Sequence, residues 1–286
     1  MISLDAATVL LQWAVGGLLW LWVTTRRREV GLGYGWLLRG VFIGLALGSL
    51  AVGLAFDTVV VREASTVGVI LATSVALVVS IARKSAGVSG HRAEHDRRSA
   101  RVAAMTGIDR SIAEPDAPTP GPEFPPGLDL VAPLVGLVGL IAAGVAAGGP
   151  TPLAIARTLV GAAFLGVVTD AMLLGHWYLV QPGLSRAPLN ELVRWLQWTW
   201  PVELLVLIWP VGMLSVLVGT VDDGWNGTLG WMWVACAGTT LGLAIATRAA
   251  LKERQYSAVM AATGLLYLAI LTAFGMDLVA RAVLAG

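Results

Sequence analysis

Long apolar runs constrain this chain more than any other feature. Eight of them recur, at 6–24, 36–56, 64–82, 128–147, 153–176, 200–219, 228–247 and 258–280. Each is close to the roughly 20 residues a helix needs to cross the hydrocarbon core of a bilayer. A water-soluble helix shows a polar stripe at helical spacing, and these runs do not. Only 13% of the residues are charged, against about 25% in a soluble domain. The expected fold is therefore all-α, a polytopic transmembrane helix bundle of about eight spans. Its expected partner is the lipid bilayer. Other membrane subunits stay open as partners, and nucleic acid is not expected.

The basic residues orient the spans. With the N-terminus outside, Arg26, Arg27, Arg28 and Arg39 fall at the cytoplasmic face. So do the basic residues from Arg83 to Arg110, then Arg186 and Arg194, then Arg248, Lys252 and Arg254. Sixteen of the 19 lysines and arginines lie on that side, and only Arg62, Arg157 and Arg281 lie on the other. One missed span would invert every later loop, so the asymmetry argues for eight spans with both termini outside. The first run is preceded by no basic segment and followed by Arg26 to Arg28 without a small-residue cleavage site. It reads as a retained helix rather than a signal peptide. Arginine outnumbers lysine by 17 to 2, a bias that suggests a GC-rich bacterial genome and hence the cell (inner) membrane.

A long polar stretch divides the chain. Residues 1–82 form a three-helix segment, 83–127 a cytoplasmic linker that is basic and then proline-rich, and 128–286 a five-helix segment. The linker's prolines favour extended conformers and a mobile connection. Small residues recur every fourth position at Gly40, Gly44 and Gly48, at Gly238, Gly242 and Ala246, and at Gly144 and Gly148. Such rows let helix backbones approach closely. Seven tryptophans fall between Trp195 and Trp233, as expected for residues that anchor helix ends at the headgroup level.

Ionisable groups inside spans are expensive and are functional candidates by default. Asp170 and His176 lie in the fifth run. They are six residues apart, which sets them about 120° apart on different faces of a regular helix. Glu203 follows Pro201 in the sixth run, after a segment at 188–199 that reads as interfacial. Placed in the cytoplasmic half, Asp170, His176, Tyr178, Gln197 and Glu203 are the candidates for one ligand or proton site. The alternative is that Asp170 and Glu203 pair with Arg186 or Arg194. Asp277 and Arg281 are four apart and read as an exposed pair at the outer interface, where Asp277→Asn would be tolerated.

Other chemistry is sparse. His91 and His95 have metal-ligand spacing, but no further ligand completes a site, and a solvated charged segment is the better reading. Cys236 alone makes no disulfide. Walker, dinucleotide-binding, HExxH and GxSxG motifs are missing from the sequence. Only His176 lies in or beside a span, so no bis-histidine haem is expected. Two functional classes stay open. One is an electron-transport or quinone-associated membrane subunit, with protonatable groups beside an aromatic slot formed with Trp177 and Tyr178. The other is a small-solute or ion transporter, with Pro201 and Pro210 breaking a helix beside an acid. A structural subunit of a membrane complex is the third, blander reading.

Overall fold

The computed structural model describes residues 4–89, 97, 100, 104, 122–181, 184–253 and 255–284. Most of the expected linker, with His91 and His95, lies outside the described residues. Everything regular among them is helical. The long helices are α1 (Ala6–Thr25), α2 (Leu32–Phe56), α3 (Val60–Ala82), α4 (Val131–Ala146), α5 (Thr151–Val180) and α6 (Ala187–Ile208). A short α7 (Gly212–Leu217) follows, then α8 (Thr228–Ala250) and α9 (Tyr256–Leu284). Among the described residues, seven helices are long and apolar enough to cross a membrane, one of them being α4 with the 3-10 turn Pro126–Leu130 that leads into it. The protein is thus an integral membrane protein by the character of its helices.

Helix α6 is the exception, and it corrects the expected span at 200–219. The helix continues through Pro201 and ends at Ile208, before a cis Trp209–Pro210 bond. Its apolarity is reduced by Asn190, Glu191, Arg194, Gln197 and Glu203. It nevertheless runs the length of α5 in the opposite direction. Ala187 follows closely on the end of α5, while Arg157, near the start of α5, donates from Nε to the Val206 carbonyl at 2.9 Å. The residues expected to lie along the interface at 188–199 belong to this continuous helix.

The two ends of the bundle differ in character. The basic end carries Arg26–Arg28 and Arg186. The opposite end carries the first and last described residues, Leu4 and Leu284, and we call it the terminal end. At the basic end, Arg39 holds Asp129 through two hydrogen bonds, of 2.8 and 2.7 Å, with both side chains buried. The ring of Phe124 covers that guanidinium. The chain leaving the linker is in this way tucked into the bundle.

Helices α1 and α5 form the buried spine and run in the same direction. They touch where neither has a side chain: a Cβ on Gly16 would fall 1.8 Å from the Ala162 carbonyl oxygen, and one on Gly166 would fall 2.2 Å from the Gly16 carbonyl carbon. Close backbone approach of this kind replaces hydrophobic drive in lipid. The expected rows behave differently. Gly144 does pack on Ile155, but a Cβ on Gly40, Gly44, Gly238 or Gly242 would meet nothing. Gly48 meets only Leu10 of α1, at an ordinary 3.5 Å, so those rows lie mainly on outward faces. A glycine row reports a face that is free of side chains, and it does not say which neighbour lies across it.

Candidate functional site

A buried polar cluster lies toward the terminal end, around Gly161 of α5. Gln12 of α1 donates to the Thr158 carbonyl at 2.6 Å. Arg281 of α9 donates from Nε to Asp277 Oδ2 at 2.7 Å and from Nη2 to the Arg157 carbonyl at 2.8 Å. Arg157 in turn donates from Nη2 to the Trp209 carbonyl at 2.9 Å. These groups fit because residue 161 has no side chain. A Cβ there would lie 2.2 Å from Arg281 Nη2, 2.7 Å from Asp277 Oδ1 and 3.1 Å from Gln12 Nε2.

Glu203 of α6 joins this cluster. Its carboxyl lies against that of Asp277, with Arg281 and Arg157 as the neighbouring cations. Both acids are fully buried. Neither oxygen of Glu203 has a hydrogen-bond partner among the described residues, and neither do Asp277 Oδ1 and Gln12 Oε1. The cluster therefore has more acceptors than its own donors satisfy, and a buried acceptor left unpaired is costly. Two adjacent carboxyl groups cannot both carry charge cheaply, even beside an arginine.

A cavity of about 140 Å³ opens beside the cluster. Asp5, Thr8, Arg157, Thr158 and Arg281 supply its polar wall. Behind it stands a second buried group. Arg62, fully buried, donates to Asp5 Oδ2 at 2.7 Å and to Glu63 Oε1 at 2.8 and 2.6 Å. Asp5 also caps α1 by accepting from the Thr8 amide at 3.1 Å.

Of the five expected site residues, only Glu203 is in this cluster. It lies in the terminal half, not beside the basic end, because α6 begins 13 residues earlier than the expected span. Asp170 is nine residues beyond Gly161 on α5, roughly 14 Å along the axis. It is fully buried, and neither carboxylate oxygen has a partner among the described residues. The Tyr34 hydroxyl approaches its backbone carbonyl at 3.4 Å. His176 points the other way, exposed, with Nδ1 3.3 Å from the Tyr267 hydroxyl. The Tyr178 hydroxyl bonds the Ser185 carbonyl and so ties α5 to the turn after it. Gln197 faces α8, donating to the Ala244 carbonyl at 3.3 Å and accepting from Arg248 at 2.8 Å. The structure does not bring the five together. The expected pairing of Asp170 and Glu203 with Arg186 or Arg194 is also not what is found: Arg281 and Arg157 are the cations beside Glu203.

Four members of the cluster are not among the expected site residues, namely Gln12, Arg157, and Asp277 with its partner Arg281. Gln12 and Arg157 carried a usable signal, since each is a polar residue inside an apolar run. Asp277 was read as exposed, and it is fully buried. The four-residue spacing with Arg281 fits an exposed surface pair, but Gln12 of α1, Gly161 of α5 and Glu203 of α6 close over that turn of α9.

Comparison with protein-family models, with curated proteins and with solved structures finds no match. The functional reading therefore rests on the site.

Proposed function

We propose that this protein is a proton-coupled membrane transporter of a small solute, with Glu203 and Asp277 as its proton-binding pair. The observation that carries the reading is the set of unpaired buried oxygens on Glu203, Asp277 and Gln12. A proton shared by the two carboxyls turns one of them into a donor and removes a buried charge. The cavity walled by Asp5, Arg157 and Arg281 offers an entry from the terminal end, and the charge asymmetry supports reading that end as the outer one. Asp170, also buried and unpaired, stands about 14 Å further in and is the next stop for a proton moving toward the cytoplasm. The broken helix at Trp209–Pro210 lies beside Arg157 and supplies a joint of the kind transporters place next to their sites. The quinone-associated reading needs Asp170, His176 and Glu203 around one aromatic slot, and their separation takes away its support.

The test needs no knowledge of the solute. Liposomes holding the purified protein are adsorbed on a solid-supported membrane and subjected to a pH jump. Proton binding inside the bundle moves charge, so a transient current is expected. Glu203→Gln should abolish it with thermal stability retained. No current from the folded wild-type protein, or an unchanged current in Glu203→Gln, would remove the proposal.

A further inference from the structure

A second feature lies outside that cluster, on the side of the bundle. A groove of about 850 Å³ runs between α5 and α6. It follows α6 from Ala187 to Val202, a distance of roughly 22 Å. One hydrocarbon leaflet is about 15 Å deep, so the groove has room for one acyl chain with a headgroup above it. Its two ends differ chemically. Leu159, Val160, Ala163 and Val202 line the apolar end, and Trp195 and Trp198 form an exposed aromatic edge. Trp195 is held in place by Trp20, with ring centroids 5.5 Å apart.

The other end is cationic. Arg27, Asn190, Glu191 and Arg194 line it. The single acid is already engaged, since Arg26 and Arg27 both bridge to Glu191. Arg194 is exposed and has no ion-pair partner among the described residues. The mouth therefore keeps a net positive charge at headgroup depth, with an amide donor beside it. A slot that is apolar along its length and cationic at one end matches an amphipathic anion.

We infer that this groove is a binding site for an anionic phospholipid, its phosphate at Arg194, Arg27 and Asn190 and one acyl chain against Trp195 and Trp198. Basic pockets between membrane helices recognise such headgroups, and each arginine near an anionic surface contributes on the order of a fivefold preference. A quinone is less well matched, because Glu191 is the only acid in the groove and two arginines occupy it.

Brominated lipids test this directly, because bromine quenches a tryptophan it touches. The full-length protein is placed in phosphatidylcholine nanodiscs containing an equal fraction of either brominated phosphatidylglycerol or brominated phosphatidylcholine. The signal from the groove is the difference between wild type and the Trp195→Phe/Trp198→Phe variant. Stronger quenching by the anionic lipid is expected. Arg194→Gln should reduce that preference about fivefold, while Arg194→Lys, which keeps the charge, should retain most of it. Arg194→Gln leaves both Glu191 bridges in place, and the retained preference of Arg194→Lys guards against a folding effect. Equal quenching by the two lipids would overturn the inference. So would displacement of the brominated lipid by added ubiquinone with no dependence on residue 194.

Discussion

Asp277 and Arg281 show how one turn of helix can hold chemistry that its sequence spacing disguises. The four-residue interval of Asp277 and Arg281 is what an exposed surface pair would have, and the bond between them does form, at 2.7 Å. Burial changes its worth. An exposed pair contributes little, whereas removing one partner of a buried pair leaves an uncompensated charge. Asp277→Asn should therefore lower stability, by up to about 3 kcal/mol, read as a drop in thermal midpoint in detergent. Adding Arg281→Met should recover part of the loss, because it removes the stranded charge. An unchanged midpoint in Asp277→Asn would mean that the acid is not enclosed. Gly161→Ala tests the same packing from below, since its methyl would press on Arg281 and Asp277; both stability and the pH-jump current should fall. Asp223, in the loop before α8, behaves differently. Burial pushes its carboxyl up, but the amides of Gly227, Trp225 and Leu229 donate to it and hold it below the usual carboxylate range. A depressed folded value means that its contribution is complete above the ordinary carboxylate pKa of about 4 and is lost as pH falls through the folded value. Hydrogen exchange at Trp225, Gly227 and Leu229, taken relative to the unstructured rate at the same pH, should thus stay slow at pH 6 and quicken only in strong acid. Asp223→Asn should quicken it at both pH values, and slow exchange in that variant would show that the carboxylate does not order the loop.

At the scale of elements, hydropathy located seven helices well because their residues are apolar whether they face outward or, as in α1 and α5, are mostly buried in the bundle. It misplaced the eighth for a physical reason. Between 187 and 199 the chain carries Asn190, Glu191, Arg194 and Gln197, and a sequence window charges all of them to the membrane. In the fold Glu191 is met by Arg26 and Arg27, and Gln197 by Arg248. Those partners come from α1 and α8, remote in sequence, so no local reading could supply them. The 120° offset between Asp170 and His176 was legible, because it depends on helix geometry alone, and α5 does send one inward and the other outward. The separation of Asp170 from Glu203 was not legible, since it depended on where α6 begins. The glycines divide in the same way. Gly16 and Gly166 seat α1 on α5 without belonging to the expected rows. A side chain at either meets backbone rather than a mobile side chain, so Gly16→Leu should prevent assembly of a monodisperse protein. Gly242→Leu, on the outward face of α8, should be tolerated. Size-exclusion profiles of the two variants check this, and equal behaviour would mean that the helices do not meet where the structure places them.

At the scale of the whole molecule, the helices alternate between the two ends, and α6 decides how many times the chain crosses. Composition alone admits seven crossing helices among the described residues. We propose that α6 adds one more. Glu191, near the start of α6, reaches Arg26 at the end of α1, and Val206, near its close, accepts from Arg157 at the start of α5. Those two points are 15 residues apart on α6, roughly 22 Å of helix, which is most of a hydrocarbon core. A helix lying along one interface would not reach both. The charge pattern agrees: with eight crossings, sixteen of the 19 basic residues share one side, whereas seven would put the arginines and lysine at 248–254 opposite Arg26–Arg28. The two counts differ in where the loop after α7 stands. Cys236 is the only cysteine, so a Cys236→Ala background allows single reporters at two exposed positions, Ser85→Cys after α3 and Thr220→Cys after α7. With eight crossings these lie on opposite sides, and a membrane-impermeant thiol reagent applied to intact cells should label Thr220→Cys and spare Ser85→Cys until the membrane is opened. If α6 stays on one side, Thr220→Cys lies with Ser85→Cys and the two label alike. That outcome would also move Arg157, Glu203 and Asp277 out of a membrane-spanning bundle as drawn here, and the proton site would lose the low-dielectric surroundings on which its chemistry depends.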